Sequence, residues 1–351
     1  MKIVFVCPFP RNYRAGFLYP LVRFRRELEK RDISIRLACD LAGSFREETI
    51  IISSEWLQSK GIDESEFEAT CELLGQLRKR CERLWFFDMT DGPGTIYSHV
   101  LPLVDRYLKA WVLRDSSMYK RQHYQSRVFT DFYHRHFGIN DKEDMNYPPV
   151  PGKDIHKIRL AWNYSLYTFG RGLKIWDCLP LMLKTRIHSK FSFNENRAQD
   201  VTMRIGLKYE LDTVRFHRQL AIDFVKGYGL SASKISKRKF FQEMQNSKVS
   251  ISPFGWGEIC LRDYESFISG TALVKPSIRH MVTFPNVFLE NRTFAEYDWH
   301  GNNLKSTIDK LLSDGSWREM ARIGQETYIK SVFGLEAQAS FCDQIQEVFG
   351  I

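Results

Sequence analysis

The chain has 351 residues, of which 43% are hydrophobic and 14% aromatic, enough to fill the cores of two ordinary domains. A charged fraction of 26% is typical of a folded protein and argues against disorder. The net charge of +9 favours phosphate-rich partners, but no recognition motif for nucleic acid accompanies it, so we expect no nucleic-acid partner.

The N-terminus and the cysteines predict the compartment. No apolar stretch approaches the ~20 residues that a membrane span requires, and Lys2–Cys7 has the pattern of a buried strand rather than of a secretory signal. The seven cysteines lack metal-ligand spacing, so we expect free thiols without disulfides or zinc. These features predict a cytoplasmic protein, and its basic surface favours peripheral contact with an anionic membrane at the inner face of the cell membrane.

Strands and helices alternate in the first half of the chain. Short apolar runs predict strands at Lys2–Cys7, Ile33–Cys39, Thr49–Ser53 and Leu84–Asp88, with strand-like pieces at Val104–Leu108, Val128–Phe132 and Ile158–Trp162. Amphipathic patterns predict helices over about 17–30 and Glu64–Arg83. This order is typical of a parallel α/β sheet, in which ligands bind at the C-terminal ends of the strands.

The second half repeats the alternation. Strands are predicted at Lys248–Ser252, Ala272–Lys275 and Val287–Leu289, and helices at Tyr209–Lys226, Lys239–Asn246, Leu261–Ser269, Leu304–Leu312, Trp317–Val332 and Leu335–Phe349. We therefore predict an α/β protein with two Rossmann-like parallel-sheet domains, residues 1–175 and 176–335. Their boundary should fall between about 167 and 190, and the final helix, residues 336–351, could pack back on the first domain.

The most informative segment runs from Val249 to Pro276, as a strand, a loop, a helix and a second strand. In the loop, Gly255 and Gly257 flank Trp256, and glycines let a backbone approach a ligand closely. A helix N-terminus after such a loop favours anions, so a diphosphate is the expected occupant.

Three charged residues follow the loop at helical spacing. Glu258, Arg262 and Glu265 share one face if the helix begins near Glu258. An arginine held between carboxylates is oriented to grip phosphate, and the later carboxylate can accept both ribose hydroxyls. The alternative is a pair of ordinary salt bridges on a wet helix surface.

These residues resemble a known element. The run from Glu265 through Gly270 to Val274 is similar to the Glu-Ala-Met-Ala-x-Gly-x-Pro-Val-Val element of GT-B glycosyltransferases of the family 4 type. The Arg262-x-x-Glu265 pair resembles the donor-site element of exostosin-like transferases. The resemblance covers roughly residues 248–312 and extends to bacterial enzymes that build surface polysaccharides.

The resemblance implies a GT-B fold whose two domains face a cleft, and it implies roles for several residues. Glu265 would bind the ribose hydroxyls, while Gly255, Trp256, Gly257 and Glu258 would face the donor sugar and its phosphates. Family 4 enzymes place two glutamates eight positions apart, whereas Glu258 and Glu265 are seven apart. The retaining or inverting outcome therefore stays open.

Further contacts are predicted around this segment. Lys275 ends a predicted strand, where a ligand contact and a rim lysine are equally expected. A basic phosphate clamp should come from Arg204, Arg215 or Arg218, and helical register does not choose among them. In the first domain, Gly16 lies on the acceptor side, and Asp91 stands where an inverting enzyme would place a general base.

The predicted function is metal-independent transfer of a sugar from a nucleotide sugar to a hydroxyl of a glycan or lipid-linked glycan. Arg262, Glu258 and Asp91 are the candidate catalytic residues. UDP- or GDP-sugars are the expected co-substrates, CMP-sugars remain a rival, and no other cofactor is expected. The alternatives are a non-catalytic module that binds nucleotide sugars or glycans, and a basic nucleic-acid-binding protein.

Overall fold

The computed structural model describes residues 1–8, 15–41, 45–60, 62, 66–163, 192–228, 233 and 235–350. The predicted domain boundary at 167–190 therefore lies outside the described residues, as do residues 9–14, which precede Gly16. None of the described helices combines the length and apolar character needed to cross a bilayer.

The first half of the chain builds a six-stranded parallel sheet in the order β2-β1-β3-β4-β5-β7. The strands are β1 Lys2–Val6, β2 Ser34–Ala38, β3 Phe45–Ser53, β4 Cys81–Asp88, β5 Arg106–Lys109 and β7 Ile158–Leu160. Its helices are α1 Ala15–Arg23, α2 Arg25–Lys30, α3 Ser54–Ser59, α4 Phe67–Arg78 and α5 Val128–Phe137. The central strands are buried on both faces, as expected for a parallel sheet between helix layers.

The second half builds a four-stranded parallel sheet in the order β12-β10-β9-β8. The strands are β8 Gln199–Thr202, β9 Ser247–Ile251, β10 Ala272–Pro276 and β12 Phe294–Tyr297. The helices are α6 Asp212–Phe224, α7 Lys237–Asn246, α8 Leu261–Ile268, α9 Leu304–Ser313, α10 Trp317–Phe333 and α11 Leu335–Phe349. Two parallel sheets with helices between their strands confirm the predicted α/β class.

A small antiparallel ribbon connects the two halves. Strand β6, Trp111–Leu113, pairs with β11, Met281–Thr283, and the backbone N–H of Arg114 extends the ribbon by donating to the carbonyl of His280 at 2.8 Å. The helix α11 also reaches the first half, where Gln344 Nε2 donates to the carbonyl of Leu160 at 2.7 Å. These contacts place the C-terminal strand ends of the two large sheets close together.

Several predicted elements were wrong. Val128–Phe132 is the start of helix α5 and not a strand, because Phe129 and Tyr133, one turn apart, bury the same face and Gly138 ends the helix at φ +68°. Val287–Leu289 is irregular, and the edge strand comes later, at β12. The helix predicted over 17–30 is two helices that meet at Phe24.

Candidate functional site

The site is built around the loop between β9 and α8, residues 252–260, called the glycine loop below. The turn closes through the Gly255 N–H, which donates to the carbonyl of Gly257 at 3.0 Å. At the end of the loop, the Cys260 N–H donates to Asp263 Oδ2 at 3.0 Å, which caps the first turn of α8. The helix therefore begins at Leu261, so Glu258 lies in the loop and does not share the helical face predicted for it.

Lys275 supports this loop from below. Its ammonium is fully buried, 2.8 Å from Asp263 Oδ2, and donates to the Glu258 carbonyl at 2.7 Å. Ser252 Oγ donates to the other oxygen of Asp263. Since no surface of Lys275 is exposed, its charge holds the loop and the helix start together, and the geometry favours this support over the predicted ligand contact.

Two arginines converge beside the glycine loop. Arg218 is buried on α6, where Nε donates to the Gly206 carbonyl at 2.8 Å and Nη1 to the Phe254 carbonyl at 2.7 Å. Burial lowers the pKa of Arg218, and the positive charge of Arg262 lowers it further. The two guanidinium groups bind carbonyls of one short segment, Arg218 that of Gly206 and Arg262 that of Arg204, so two positive charges lie on the same side of the glycine loop.

Arg262 is the less satisfied of the two. Its Nη2 donates to the Arg204 carbonyl at 2.6 Å, while Nε and Nη1 are buried with no hydrogen-bond partner. Within the described part of the chain, neither Arg262 nor Arg218 forms an ion pair with a carboxylate. The result is a concentration of positive charge, with free donors, at the start of α8.

The structure separates the three arginines proposed for a phosphate clamp. Arg204 is held by both carboxylate oxygens of Glu243, at 2.9 and 3.0 Å from its Nε. Arg215 is half exposed and pairs with Asp212 on its own helix. Arg218 alone of the three lies against the glycine loop, 3.8 Å from where a side chain on Gly255 would begin.

Glu265 lies one turn after Arg262 and is half-buried. Burial raises the pKa of its carboxyl, and the charges of Lys237 and Arg262 oppose that shift. Arg262 and Glu265 therefore lie near each other at the edge of the site, as their spacing predicts.

Glu258 faces away from α8, toward the first half of the chain. Its Oε1 is 3.0 Å from His280 Nε2, and its Oε2 is buried without a hydrogen-bond partner. The side chain lies beside Gly92, in the loop that follows β4. Glu258 is therefore set apart from Arg262, at the contact between the two halves.

The predicted residues of the first half lie in different places. Asp91 is half-buried in the loop after β4 and directly contacts the glycine loop, because a Cβ placed on Gly257 would lie 3.0 Å from the Asp91 Cβ. Gly16 is buried in the first turn of α1. The structure thus brings Asp91 to the site, whereas Gly16 is buried in α1 and shows no contact with the glycine loop among the described residues.

Some site residues had no sequence signal. His280 and Arg127 reach the glycine loop from a distant loop and from the start of α5, and neither belongs to a motif. Asp263 could have been found, since Cys260-x-x-Asp263 has the spacing of a helix capping box. Trp256 is half-buried against Tyr209, with ring centroids 5.6 Å apart.

A cavity of about 450 Å³ adjoins His280. It lies between α5 and the loops that follow β10 and β12, and its lining combines aromatic, basic, acidic and amide side chains: Phe132, Arg279, His280, Glu296, Trp299 and Asn303. One carboxylate oxygen of Glu296 is buried there without a partner. The cavity offers apolar ring faces beside polar groups.

Comparisons with known proteins were made on sequence and on structure. No protein-family model matches the chain, and no curated protein matches its sequence. Among solved structures, the chain is similar to Anabaena Alr3699/HepE in complex with UDP-glucose, with a TM-score of 0.45, 10% identity, 100% of this chain and 99% of that chain covered.

Two further structures show a similar degree of likeness. An alpha-glucosyltransferase in complex with UDP has a TM-score of 0.41 and 11% identity, covering 98% of this chain and 100% of that one. TarM has a TM-score of 0.45 and 10% identity. The match covers 87% of this chain but only 55% of the TarM chain. The roles of the residues described above therefore rest on the geometry of this chain.

Proposed function

We propose that this chain is a GT-B glycosyltransferase that transfers a sugar from a nucleotide sugar to a hydroxyl of a glycan or lipid-linked glycan. The observation that carries the proposal is the Arg218–Arg262 pair, in which two donor nitrogens of Arg262 are buried and unpaired. A buried donor without a partner costs about 1–3 kcal/mol, and adjacent like charges add to that cost. A diphosphate would offset both costs at once.

The surroundings of the pair fit the rest of a nucleotide sugar. Helix α8 begins directly after the glycine loop, and the N-terminus of a helix favours an anion. Glu265 lies on the same side and could accept the two ribose hydroxyls. The donor sugar would then extend along the glycine loop toward Glu258 and Asp91.

The same groups account for the chemistry. The acceptor oxygen forms a bond to the anomeric carbon, the bond from that carbon to the phosphate oxygen breaks, and the nucleotide leaves with its negative charge. Arg218 and Arg262 would stabilise that charge as it develops. We propose Asp91 as the base that takes the proton of the acceptor hydroxyl, whereas the side chain of Glu258, fully buried beside His280, does not reach the sugar in this arrangement. We also propose that the transfer needs no metal ion.

The cavity beside His280 is our proposed entry for the acceptor. Aromatic faces such as Trp299, with nearby carboxylate and amide groups, suit the apolar and hydroxyl faces of a sugar. The basic residues Lys237, Arg238 and Lys239 are exposed at the start of α7, where they could approach an anionic membrane carrying a lipid-linked acceptor. A cytoplasmic role in bacterial surface polysaccharide synthesis is consistent with this arrangement.

Calorimetric titration with UDP, GDP and CMP tests the proposal. We expect at least one nucleotide to bind, and Arg262→Met to weaken that binding about 30-fold or more, because charge-assisted hydrogen bonds contribute about 1.5–3 kcal/mol each. The matched control is Arg215→Met, which removes one positive charge from the neighbouring surface of α6 and should change affinity less than threefold.

Turnover completes the test. In assays that detect nucleotide release from UDP-, GDP- and CMP-sugars, Arg262→Met and Glu265→Ala should abolish transfer in a folded protein. Near-wild-type turnover in either variant would contradict the site assignment. Tight nucleotide binding by the wild type without turnover on any acceptor would instead support a non-catalytic module.

A further inference from the structure

A strained turn precedes α5. Gln125 and Ser126 both adopt the left-handed region, with φ of 55° and 56°, which is uncommon for residues other than glycine. Hydrogen bonds to residues 143–147 hold the turn: the Gln125 N–H donates to Asn146 Oδ1 at 2.7 Å, and Ser126 Oγ donates to the Met145 carbonyl at 2.9 Å. Backbone strain of this kind persists only where the surroundings over-determine it, often beside functional sites.

The turn positions the next residue, Arg127. Its side chain is buried and crosses to the second half of the chain, where Nε donates to the Trp256 carbonyl at 2.7 Å. Its guanidinium also lies 5.4 Å from the centre of the Trp256 ring, while Nη1 donates back to the Gln125 carbonyl at 3.0 Å. The strained turn is thereby connected directly to the middle of the glycine loop.

Two carboxylates share the charge of Arg127. Burial lowers its pKa, and the negative charges of Asp91 and Glu258 oppose that shift. Asp91 belongs to the loop after β4 and Glu258 to the glycine loop, so Arg127 interacts electrostatically with one acidic residue from each half.

The loops themselves touch at two glycines. A Cβ on Gly257 would lie 2.8 Å from the backbone nitrogen of Gly92, a distance that Cβ atoms essentially never show. Gly92 has φ +89°, which only glycine adopts readily. The absence of a side chain at Gly257 is thus required by the approach of the other loop.

We infer that Arg127 is a positioning residue, which ties the glycine loop to the Asp91 loop and thereby fixes the arrangement in which sugar transfer occurs. This inference rests on the proposed function. Since Arg127 is buried behind Trp256, it acts through the loops and does not touch the nucleotide. Loss of its side chain should therefore leave nucleotide binding by Arg218 and Arg262 nearly intact while slowing transfer.

The test compares Arg127→Met and Arg127→Lys with the wild type. We expect the Kd for UDP, or for whichever nucleotide the wild type binds, to change less than threefold in Arg127→Met, while kcat for release of that nucleotide from its sugar conjugates falls at least 100-fold. Arg127→Lys keeps the charge and should recover at least tenfold of the loss. Arg135→Met, an exposed change on the same helix, is the control and should match the wild type.

Gly257→Ala disturbs the same contact between the glycine loop and the Asp91 loop, because its methyl group would meet the backbone of Gly92. If both residues act by holding the loops together, the double variant should turn over within threefold of Arg127→Met alone. A multiplied loss in the double variant, an equal loss of nucleotide affinity, or unchanged kcat in Arg127→Met would overturn the inference.

Hydrogen exchange separates this inference from the proposed function. In Arg127→Met, and not in Arg135→Met, peptides covering residues 252–260 and 89–95 should exchange at least tenfold faster without any nucleotide present. Unchanged exchange would overturn the tie between the loops. Failure of the wild type to bind any nucleotide would overturn the proposed function and, with it, the catalytic part of the inference.

Discussion

Each of the two large sheets has a fully buried lysine–aspartate ion pair at its C-terminal edge. In the first, Lys109 on β5 is fully buried 2.7 Å from Asp88 at the end of β4. In the second, Lys275 on β10 is fully buried 2.8 Å from Asp263 at the start of α8. Each pair fixes the loop beside it, since Lys109 also contacts Thr90 and Lys275 also binds the Glu258 carbonyl.

The surroundings of the two pairs differ. Asp88 accepts further hydrogen bonds from Tyr107 and Thr90, so both of its carboxylate oxygens are satisfied by neighbouring residues of the same sheet and loop. Beside Asp263, in contrast, Arg262 keeps two buried donors unpaired. A buried ion pair supports the loop in both sheets, but among the described residues buried arginine donors without a partner lie beside the pair of the second sheet only, and this is where we propose that the nucleotide binds.

The largest expected effect comes from breaking either pair. Lys275→Met and Lys109→Met should each lower the free energy of unfolding by about 3–5 kcal/mol, because each leaves a buried carboxylate uncompensated. Denaturant titration measures the loss. Nucleotide titration at low temperature should show weakened binding in Lys275→Met alone, and equal weakening in both variants would contradict the contrast between the sheets.

Replacing both members of the Lys275–Asp263 pair separates its effect on stability from its effect on nucleotide binding. In the double variant Lys275→Met/Asp263→Leu no charge is left buried, so much of the lost stability should return. The cap of α8 and the support of the glycine loop are still absent, so nucleotide affinity should stay weak. Recovery of affinity together with stability would show that the pair matters only for folding.

Acid should act on the glycine loop through His217. Its Nε2 accepts from the Phe254 N–H at 2.9 Å, and burial, followed by the charge of Arg218, lowers its pKa from 6.5 to about 3. As pH falls from 6.5 toward 3, the unfolded state binds a proton that the folded state does not, so stability is lost at about 1.4 kcal/mol per pH unit. The stability difference between wild type and His217→Gln, measured by denaturant titration, should therefore shrink toward low pH, and a constant difference would contradict the assignment.

Two glycines give the smallest effects. Gly257→Ala should destabilise by about 1–3 kcal/mol, because the added methyl meets the Gly92 backbone. Gly75→Ala, in the middle of α4 with nothing within 4 Å, should stabilise by up to about 1 kcal/mol. Thermal unfolding distinguishes the signs, and stabilisation in both variants would remove the argument for close contact between the loops.

The sequence was sufficient where the signal is local. Strand and helix periodicity predicted both parallel sheets, and the spacing of Arg262 and Glu265 placed the two residues one turn apart on α8. The order of Gly255, Trp256 and Gly257 likewise located the loop, although Gly257 meets the other half of the chain where a ligand contact was expected.

The rest depends on contacts between distant segments. Arg127 lies 129 residues before Trp256, so no local pattern connects the two residues. The left-handed turn before Arg127 is formed by Gln125 and Ser126 and contains no glycine that would have predicted it. His280 reaches Glu258 because β11 pairs with β6 of the first half, a ribbon too short to show periodicity. Lys275 and Asp263 form a buried pair, which spacing alone does not distinguish from a surface one.

In the proposed complex, the unpaired donors of Arg262 bind the diphosphate of a nucleotide. A crystal structure of the chain with UDP, or with whichever nucleotide binds most tightly, tests it directly. We predict phosphate oxygens within about 2.7–3.2 Å of Arg262 Nε or Nη1 and next to Arg218. Phosphates bound elsewhere, for example in the cavity beside His280, with the Arg262 donors still unpaired, would show that Arg262 does not bind the diphosphate.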